Sequence, residues 1–266
     1  MLKISSTNNI KRFFSASLEK NGVMHGFLAR TGGVSLPPFS SLNFDCKGTD
    51  PPENIARNTR LLTAGLSLRS GALSNLFTMN QVHAGSVIEL IDISDLKKYD
   101  ADAVITKLDN VPLGILTADC MPVLFYDPVN KAIGAAHAGW KGTLEDISVK
   151  TLNAMQRRFG SKAENVLTAF GPYIGPCCYT VGKDLHEKFT AAFGNTANDY
   201  FTNKDNCLRL DIGKANSSRL VLNGVRPENI ERDAPCTSCE TNTFFSYRQE
   251  NGATGRQLSF IMLIKD

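Results

Sequence analysis

The sequence predicts an α+β fold (α/β mixed), in which mixed β-sheets are flanked by about four helices in a single domain over residues 1–266. Short apolar and β-branched runs recur along the chain, and helical segments interrupt them without the strict strand–helix–strand order of a doubly wound sheet. The 266 residues are 42% hydrophobic and 21% charged, which is typical of a globular chain with a substantial core. No internal repeat or linker-like tract divides the chain, so we expect one domain.

Strand signals recur along most of the chain. Each is a short run rich in apolar and β-branched side chains, bounded by turn-forming residues. The segments predicted as strands are Met24–Ala29, Leu76–Val82, Val87–Ile91, Ala103–Thr106, Leu113–Thr117, Val123–Tyr126, Ala132–Ala136, Val166–Ala169, Phe244–Tyr247 and Leu258–Ile264. A turn at 127–130 joins two of them, because Asp, Pro and Asn favour turn conformations.

Four helices are predicted from start signals, apolar periodicity and terminating glycines. The first follows the capping residues Asp50–Glu53 and covers Ile55–Ala64. The second follows a capping box at Thr143–Asp146 and ends at Gly160. The other two are marked by Leu185, Phe189 and Phe193 before Gly194, and by Asp211 as the cap of a helix that ends near Asn223.

Charge, hydropathy and cysteine content exclude several classes of function. The net charge of +3 is too weak to indicate a nucleic-acid or anionic-membrane partner. The most apolar stretch, Val111–Tyr126, is shorter than the ~20 residues of a membrane span, and the N-terminal segment lacks the apolar core of a secretory signal. Seven cysteines are an odd number, which suits reduced thiols or metal ligands better than a disulfide framework. We therefore expect a cytoplasmic protein that binds neither nucleic acid nor membrane.

Three potential metal ligands follow predicted strands at points where the chain turns. They are His83, Cys120 and His137, and a sheet would hold each of them while a loop exposes it. Two imidazoles and a thiolate suit zinc, and three protein ligands leave a fourth position for water or substrate, as in catalytic zinc sites. The spacing matches no short metal-binding motif. The pattern therefore leaves open that Cys120 is a small buried side chain and that the histidines are ordinary loop residues.

The same residues permit a thiol hydrolase that acts on amide or ester bonds. Cys120 would be the nucleophile, His83 or His137 its base, and Asp119 the carboxylate that orients the base. A zinc ion bound to Cys120 excludes this role, because its thiolate lone pair is then committed to the metal.

The remaining cysteines give a weaker signal. Residues 235–239 read P-C-x-x-C, which in zinc deaminases accompanies an H-x-E motif. No histidine of this chain begins such a motif. A lone C-x-x-C pair can also be half of a structural zinc knuckle or a redox pair. Because no second pair has knuckle spacing, we interpret Cys236 and Cys239 as ordinary loop thiols. We interpret Cys177 and Cys178 as part of a packed loop, because adjacent cysteines rarely close a comfortable disulfide.

Two glycine-containing loops are candidate anion sites. Residues Arg30–Ser35 follow a predicted strand, and their backbone N–H groups can form a nest beside the Arg30 charge. Residues Gly139–Thr143 precede a predicted helix start, where negative charge is favoured. Neither loop is a P-loop or a dinucleotide-binding motif, so solvated turn residues are an equal alternative. Trp140 is either a pocket wall that stacks on a flat ring or a core residue.

Short motifs along nearly the whole chain match one family. They are His25-Gly-Phe, Arg30-Thr-Gly-Gly-Val-Ser, Ser41-Leu-Asn43, Asn80-Gln-Val-His83, Ala118-Asp-Cys-Met-Pro-Val, Ala136-His-Ala-Gly-Trp-Lys-Gly-Thr, Gly171-Pro-Tyr-Ile-Gly-Pro-Cys-Cys-Tyr, Cys236-Thr, Phe244-Phe-Ser-Tyr-Arg248 and Thr254-Gly-Arg256. This set resembles the YfiH-like proteins, the bacterial laccase-domain or polyphenol oxidase family. The agreement in order and content is too specific to arise by chance.

The resemblance implies a mixed-sheet fold with zinc held by His83, Cys120 and His137. It also implies phosphorolysis of adenosine, inosine and methylthioadenosine, and hydrolytic removal of the 6-amino group of adenosine. We therefore expect a zinc-dependent purine nucleoside phosphorylase with adenosine deaminase activity. Its small-molecule partners would be purine nucleosides and phosphate, and the chain would be a monomer or a homodimer.

Copper is the family's older assignment, and it predicts a polyphenol oxidase. The three proposed ligands also suit copper, which has the higher intrinsic affinity. Laccase chemistry needs several coppers, however, and four histidines cannot supply such a cluster. A third alternative is a zinc-stabilised module that binds purine nucleosides without turning them over.

Four further residues are expected to contact the substrate. Arg30 and Lys141 are the expected anion contacts, and Asn43 and Gln81 the expected sugar or base contacts. Lys141 stands where the family usually has arginine, which keeps the charge but removes a bidentate grip on phosphate.

Overall fold

A computed structural model describes residues 1–66, 75–93 and 99–264. These residues form two six-stranded sheets, a two-stranded sheet and six α-helices. The strands are β1 (Lys3–Thr7), β2 (Ile10–Phe14), β3 (Val23–Leu28), β4 (Phe77–Thr78), β5 (Val87–Glu89), β6 (Ala103–Thr106), β7 (Leu113–Thr117), β8 (Met121–Asp127), β9 (Ala132–Ala138), β10 (Leu167–Phe170), β11 (Phe201–Lys204), β12 (Cys207–Leu210), β13 (Ile230–Glu231) and β14 (Gln257–Leu263). The helices are α1 (Ala16–Lys20), α2 (Pro52–Gly65), α3 (Trp140–Leu144), α4 (Ile147–Phe159), α5 (Lys183–Phe193) and α6 (Ile212–Leu222).

The first sheet has the strand order β1-β2-β3-β14-β7-β4. Adjacent strands in this sheet are antiparallel, except that β4 and β7 run parallel. The last strand, β14, lies between β3 and β7 and is buried along its whole length. Leu258 and Phe260 pack on one face of the sheet, while Ile261 and Leu263 pack on the other. Burial on both faces accounts for the nearly continuous apolar sequence of this strand.

The second sheet has the order β13-β10-β8-β9-β6-β5. It is mixed, because β8, β9, β10 and β6 pair in antiparallel fashion while β5 and β13 join the edges in parallel. Side chains alternate across β8: Val123 and Phe125 pack with the helices, and Leu124 and Tyr126 pack with the first sheet. The second sheet therefore lies between the first sheet and the helical layer.

The helical layer consists of α4, α5 and α6. Their apolar side chains share one core with the outer face of the second sheet, including Leu152, Phe189 and Leu220. A smaller core lies on the opposite side of the molecule, where Leu62 of α2 packs against the first sheet. The layers confirm the expected α+β class, a single domain with mixed sheets.

The helix count differs from the sequence prediction of about four. The described residues also contain α1 and α3, which span five residues each. The capping box predicted at Thr143–Asp146 is wrong: Thr143 is buried inside α3, and Asp146 adopts a left-handed conformation (φ 58°) that separates α3 from α4. The terminators Gly160 and Gly194 and the cap Asp211 are confirmed.

Asp50 does not cap the first predicted helix. That helix begins at Pro52 with Pro51 as its N-cap, and the Asp50 carboxylate instead accepts hydrogen bonds from the side chains of Asn43 and Asn54.

The strand predictions differ from the structure in two ways. Residues 244–247 are irregular rather than a strand, because they belong to a loop whose backbone bonds to side chains. The N-terminal hairpin β1–β2 was not predicted. Its turn residues Asn8 and Asn9 both have positive φ (52° and 64°), the conformation of a tight hairpin turn.

Among the described residues, no helix combines the length and the apolar character that a bilayer crossing requires.

Candidate metal centre

His83, Cys120 and His137 meet where the two large sheets join. Their ligand atoms all lie within 4.8 Å of one another. Cys120 Sγ is 3.9 Å from His83 Nε2, close to the ~3.6 Å that separates nitrogen and sulfur ligands of one tetrahedral zinc ion. The two imidazole rings lie edge to face with centroids 4.7 Å apart. Three residues that are far apart in sequence therefore present their donor atoms to one point.

Each of the three is placed by the end of a strand. His83 follows β4 in a short loop, Cys120 lies between β7 and β8, and His137 is the penultimate residue of β9. Cys120 thus occupies the connection where the chain passes from the first sheet to the second. His83 and Asp119 both have positive φ (59° and 83°), a conformation that non-glycine residues adopt mainly at turns and functional sites.

Asp102 organises this cluster from beneath. Its buried carboxylate accepts a hydrogen bond of 2.8 Å from His137 Nδ1 and bonds of 3.0 and 2.6 Å from the backbone N–H groups of His83 and Ala84. Burial alone would raise the pKa of Asp102, but these hydrogen bonds and the His137 charge hold the pKa below its usual value. A carboxylate that fixes Nδ1 leaves His137 Nε2 free to act as a metal ligand.

Asp119, the carboxylate expected to orient a base, does not do so. Its two oxygens accept hydrogen bonds from Thr237 Oγ1 (2.6 Å) and from the backbone N–H of Arg248 (2.7 Å). Asp102 has that role instead, and it is not among the residues that the sequence predicts for the site. The available signal was an acidic residue directly before the buried strand β6.

The cluster carries separated charges. Burial alone would raise the pKa of Cys120, but the neighbouring His137 and His83 lower it to about 6. Burial alone would lower the pKa of His137, whereas Cys120 and Asp102 raise it to about 9. A thiolate therefore lies beside a protonated imidazole, and a divalent cation can replace that proton between them. Two imidazoles and one thiolate fit zinc with one position open, and they also suit copper.

A cavity of about 640 Å³ opens onto this cluster. Among the described residues, the cationic side chains of Lys47, Arg248 and Arg256 line it, as do the carboxylates of Asp45 and Asp119. The flat rings of Trp140 and Tyr179 also contribute to its wall. The volume is in the range of small-molecule sites, which combine apolar walls with a few convergent polar groups.

Of the four expected substrate contacts, only Gln81 lines the cavity. Its side-chain amide donates to Leu116 O and accepts from Leu116 N, both at 2.8 Å. This pair of bonds joins the His83 loop to β7. Asn43 is fully buried outside the cavity lining, where its amide bonds to Asp50, Asp45 and Arg256.

The two expected anion contacts do not line the cavity either. The Arg30 guanidinium donates to the backbone oxygens of Ser40 and Thr241 and pairs with Glu250 at 2.9 Å. Arg30 therefore braces the loops below the site. Lys141 is exposed at the start of α3, with Nζ 5.5 Å from the Trp140 ring centre.

The cationic side chains that line the cavity are not among the residues predicted from the sequence. Arg248 lies over the Tyr179 ring, with 5.3 Å between its guanidinium carbon and the ring centre, and Arg256 lies over Tyr247 at 5.6 Å. Both arginines end motifs that support the family resemblance, and this was the signal that pointed to them. Lys47 follows Cys46 in a loop and had no comparable motif.

Comparison with known proteins places the chain in one family. A family model described as "Multi-copper polyphenol oxidoreductase laccase" matches residues 24–264. The Escherichia coli protein named "Purine nucleoside phosphorylase YfiH" is 35% identical over 246 residues, which cover 92% of this chain and 96% of that protein. The human protein named "Purine nucleoside phosphorylase LACC1" is 34% identical over 258 residues, or 94% of this chain. The chain spans just 57% of the length of the human protein.

Solved structures show the same fold. YlmD from Geobacillus stearothermophilus superimposes with a TM-score of 0.88 at 29% identity, covering 97% of both chains. The Bacillus licheniformis hypothetical protein YfiH superimposes with a TM-score of 0.86 at 33% identity, covering 96% of this chain and 97% of the other. With its His–Cys–His cluster and its match over residues 24–264, the chain belongs to the YfiH-like family of laccase-domain proteins.

Proposed function

We propose that the chain is a zinc-dependent purine nucleoside phosphorylase that also deaminates adenosine. The observation that carries this proposal is the convergence of His83, Cys120 and His137 at the wall of a cavity of about 640 Å³. The names of the bacterial and human relatives, both purine nucleoside phosphorylases, supply the reaction. The substrates would be adenosine, inosine and methylthioadenosine, with phosphate as the second reactant.

The ligand set favours zinc over copper. Three protein ligands of mixed nitrogen and sulfur type are the pattern of catalytic zinc sites. A copper oxidase of the laccase type needs several coppers, and the four histidines of the chain are too few. The chemistry that zinc supplies when bound is Lewis acidity toward a water or a phosphate oxygen.

The side chains around the cluster have separate tasks in this proposal. Asp102 keeps the proton of His137 on Nδ1, so that Nε2 remains a donor to the metal. Arg248, Arg256 and Lys47 are cationic side chains at the cavity that would bind phosphate. Trp140 offers an aromatic face for the purine ring.

A second candidate is a thiol hydrolase, which the Cys120 thiolate favours. The pKa of about 6 makes Cys120 a nucleophile at neutral pH, with His137 beside it. The effect of zinc on thiol labelling distinguishes the two functions. If zinc is the native ion, iodoacetamide should label Cys120 in metal-free protein but not in zinc-loaded protein. Equal labelling in both states supports the hydrolase.

The test of the proposal is a nucleoside assay with zinc-loaded and metal-free protein. With phosphate and adenosine, zinc-loaded protein should release adenine and ribose 1-phosphate. Without phosphate, the same protein should release inosine and ammonia. Full turnover in metal-free protein would contradict the role of zinc. Tight adenosine binding with no product under either condition would make the chain a binding module.

A further inference from the structure

A second cluster of metal-ligating side chains lies outside the site described above. It consists of four thiols, Cys177 and Cys178 from the segment after β10 and Cys236 and Cys239 from the segment after β13, and we call it the four-cysteine cluster. Their sulfur atoms all lie within 4.8 Å of one another. The proposed mechanism uses none of them.

The distances fit a metal site better than disulfides. Cys239 Sγ is 3.5 Å from Cys177 Sγ and 3.3 Å from Cys178 Sγ. Four thiolates at ~2.3 Å from a tetrahedral zinc ion lie ~3.8 Å from one another. A disulfide would require ~2.05 Å and would join the sulfurs in pairs. Here Cys239 is about equally close to two partners, which is the arrangement around a shared ion.

The backbone supports this arrangement. Cys236-x-x-Cys239 forms a turn in which Cys239 N donates to Cys236 O at 3.2 Å. Gly175 N donates to Cys236 Sγ, also at 3.2 Å. An N–H group aimed at sulfur stabilises a thiolate, as outer hydrogen bonds do at metal sites.

A positive charge also lies beside the cluster. Arg209 Nη1 donates to Cys177 O at 2.6 Å, and Arg209 Nη2 forms an ion pair with the exposed Asp205 carboxylate at 3.5 Å. Arg209 Nε is buried without a hydrogen-bond partner among the described residues. A zinc ion with four thiolates carries two net negative charges, and this guanidinium would offset part of them.

The cluster joins two segments that form one wall of the cavity. The first segment contributes Tyr179, directly after Cys178, and the second contributes Arg248. Thr237, next to Cys236, donates to Asp119, and Arg248 N donates to the same carboxylate. The four-cysteine cluster is therefore connected through Asp119 to Cys120 of the first centre.

We propose that Cys177, Cys178, Cys236 and Cys239 bind a second zinc ion as a closed structural site. The four thiols bind as thiolates and release their protons when zinc enters. Four protein ligands leave no position for substrate, so this ion holds the cavity wall in place and takes no part in the reaction. Loss of the ion would loosen the segments that carry Tyr179 and Arg248.

The experiment is metal analysis of the purified full chain, loaded with zinc under reducing conditions. The wild type should hold about two zinc ions per chain, and Cys239→Ser and His83→Asn should each hold about one. The matched control is Cys207→Ser, which removes a half-buried cysteine of β12 outside the cluster and should keep both ions. The two single variants lose different ions, so failure of this inference is distinguishable from failure of the zinc site at His83.

Cobalt substitution identifies which ion is lost. Tetrahedral cobalt shows sulfur-to-metal charge-transfer absorption that grows with the number of thiolates. His83→Asn should keep a strong band from four thiolates, and Cys239→Ser should keep a weak band from Cys120 alone. A wild type with about one zinc ion and a weak cobalt band would overturn the inference. So would peptide mapping that finds a Cys178–Cys239 disulfide in the zinc-loaded protein under reducing conditions.

Should Cys239→Ser fail to fold, the wild type still decides the question. A thiol-reactive mercurial titrated into the zinc-loaded protein should release zinc in two phases. The phase from the exposed thiols Cys177 and Cys239 should come first. Release of a single equivalent throughout the titration would overturn the inference.

Discussion

The His83–Cys120–His137 cluster and the four-cysteine cluster are connected through Asp119 but differ in how the chain holds them. The first is fixed by the ends of β4, β7 and β9 and by the buried carboxylate of Asp102. The second is fixed by two turns in irregular segments, and two of its thiols are exposed. The first offers three donors and faces a cavity, whereas the second offers four donors that face one another.

This difference indicates that the first cluster takes part in the reaction and that the second stabilises the fold around the cavity. Strand ends held by a hydrogen-bonded carboxylate keep ligand geometry fixed while one coordination position faces the cavity. Loop thiols need no such framework, because a metal ion that binds all four sulfurs crosslinks the loops and holds them in place. Activity should therefore depend steeply on the first cluster, whereas the order of the cavity wall should depend on the second.

The largest effect is expected from replacing a ligand of the first cluster. Cys120→Ser keeps the shape of the side chain, and His83→Asn suits the left-handed backbone at this position (φ 59°). Each should lower kcat/KM for nucleosides by more than ~1,000-fold, because the metal is lost from the reacting centre. Steady-state kinetics with metal analysis measures this. An unchanged rate in either zinc-depleted variant would remove the distinction between the two clusters.

The next effect concerns the carboxylate beneath the first cluster. Asp102→Asn should weaken zinc binding by ~10- to 100-fold, because an amide cannot accept all three hydrogen bonds from His137, His83 and Ala84. Zinc competition with a chelating dye measures the affinity. Asp109→Asn, at an exposed position, is the control. Equal zinc affinity in the two variants would show that Asp102 does not position His137.

A smaller effect is expected from filling the space beside Cys120. A Cβ at Gly139 would lie 2.8 Å from Cys120 Sγ and 3.4 Å from His83 Cδ2. Gly139 has φ −73°, so Gly139→Ala adds a steric contact without backbone strain. Displacement of the sulfur should weaken zinc binding by about tenfold. In Gly48→Ala the new Cβ meets nothing nearer than 3.5 Å, so zinc affinity should not change. Matching affinities in the two variants would place the metal elsewhere.

The smallest effect links the two regions. Arg248 is exposed at the cavity, so Arg248→Gln should raise KM for phosphate by ~2- to 5-fold and leave zinc content intact. Arg57→Gln, on the exposed side of α2, should change neither value. Initial rates at varied phosphate concentration test this. An unchanged KM for phosphate would show that Arg248, on the cavity wall next to the four-cysteine cluster, does not bind phosphate.

The sequence singles out the three side chains of the first cluster but little of what surrounds them. His83, Cys120 and His137 can be identified from the sequence because each follows an apolar run, and the ends of strands are recognisable from the local pattern. Asp102 cannot be identified in this way, because its role depends on a contact between β6 and β9 that only the folded sheet creates.

The four-cysteine cluster shows the same limit. Cys177-Cys178 and Cys236-x-x-Cys239 lie some sixty residues apart. Only the second pair has the spacing of half a zinc site, so the two pairs together match no short zinc motif. Their meeting depends on the bridge between Tyr173 and Cys236, which local sequence does not encode. Arg30 and Asn43, which were expected to contact substrate, lie outside the cavity lining. Their motifs mark residues that hold loops together, and sequence does not separate such residues from those that face the cavity.

Anomalous diffraction at the zinc edge, on crystals of the zinc-loaded chain, tests the metal centre most directly. We expect a peak ~2.0–2.1 Å from the imidazole nitrogens of His83 and His137 and ~2.3 Å from Cys120 Sγ, with a non-protein atom as the fourth ligand. A map with no peak between these three side chains, or a peak that persists in data collected between the copper and zinc edges, would contradict a zinc centre.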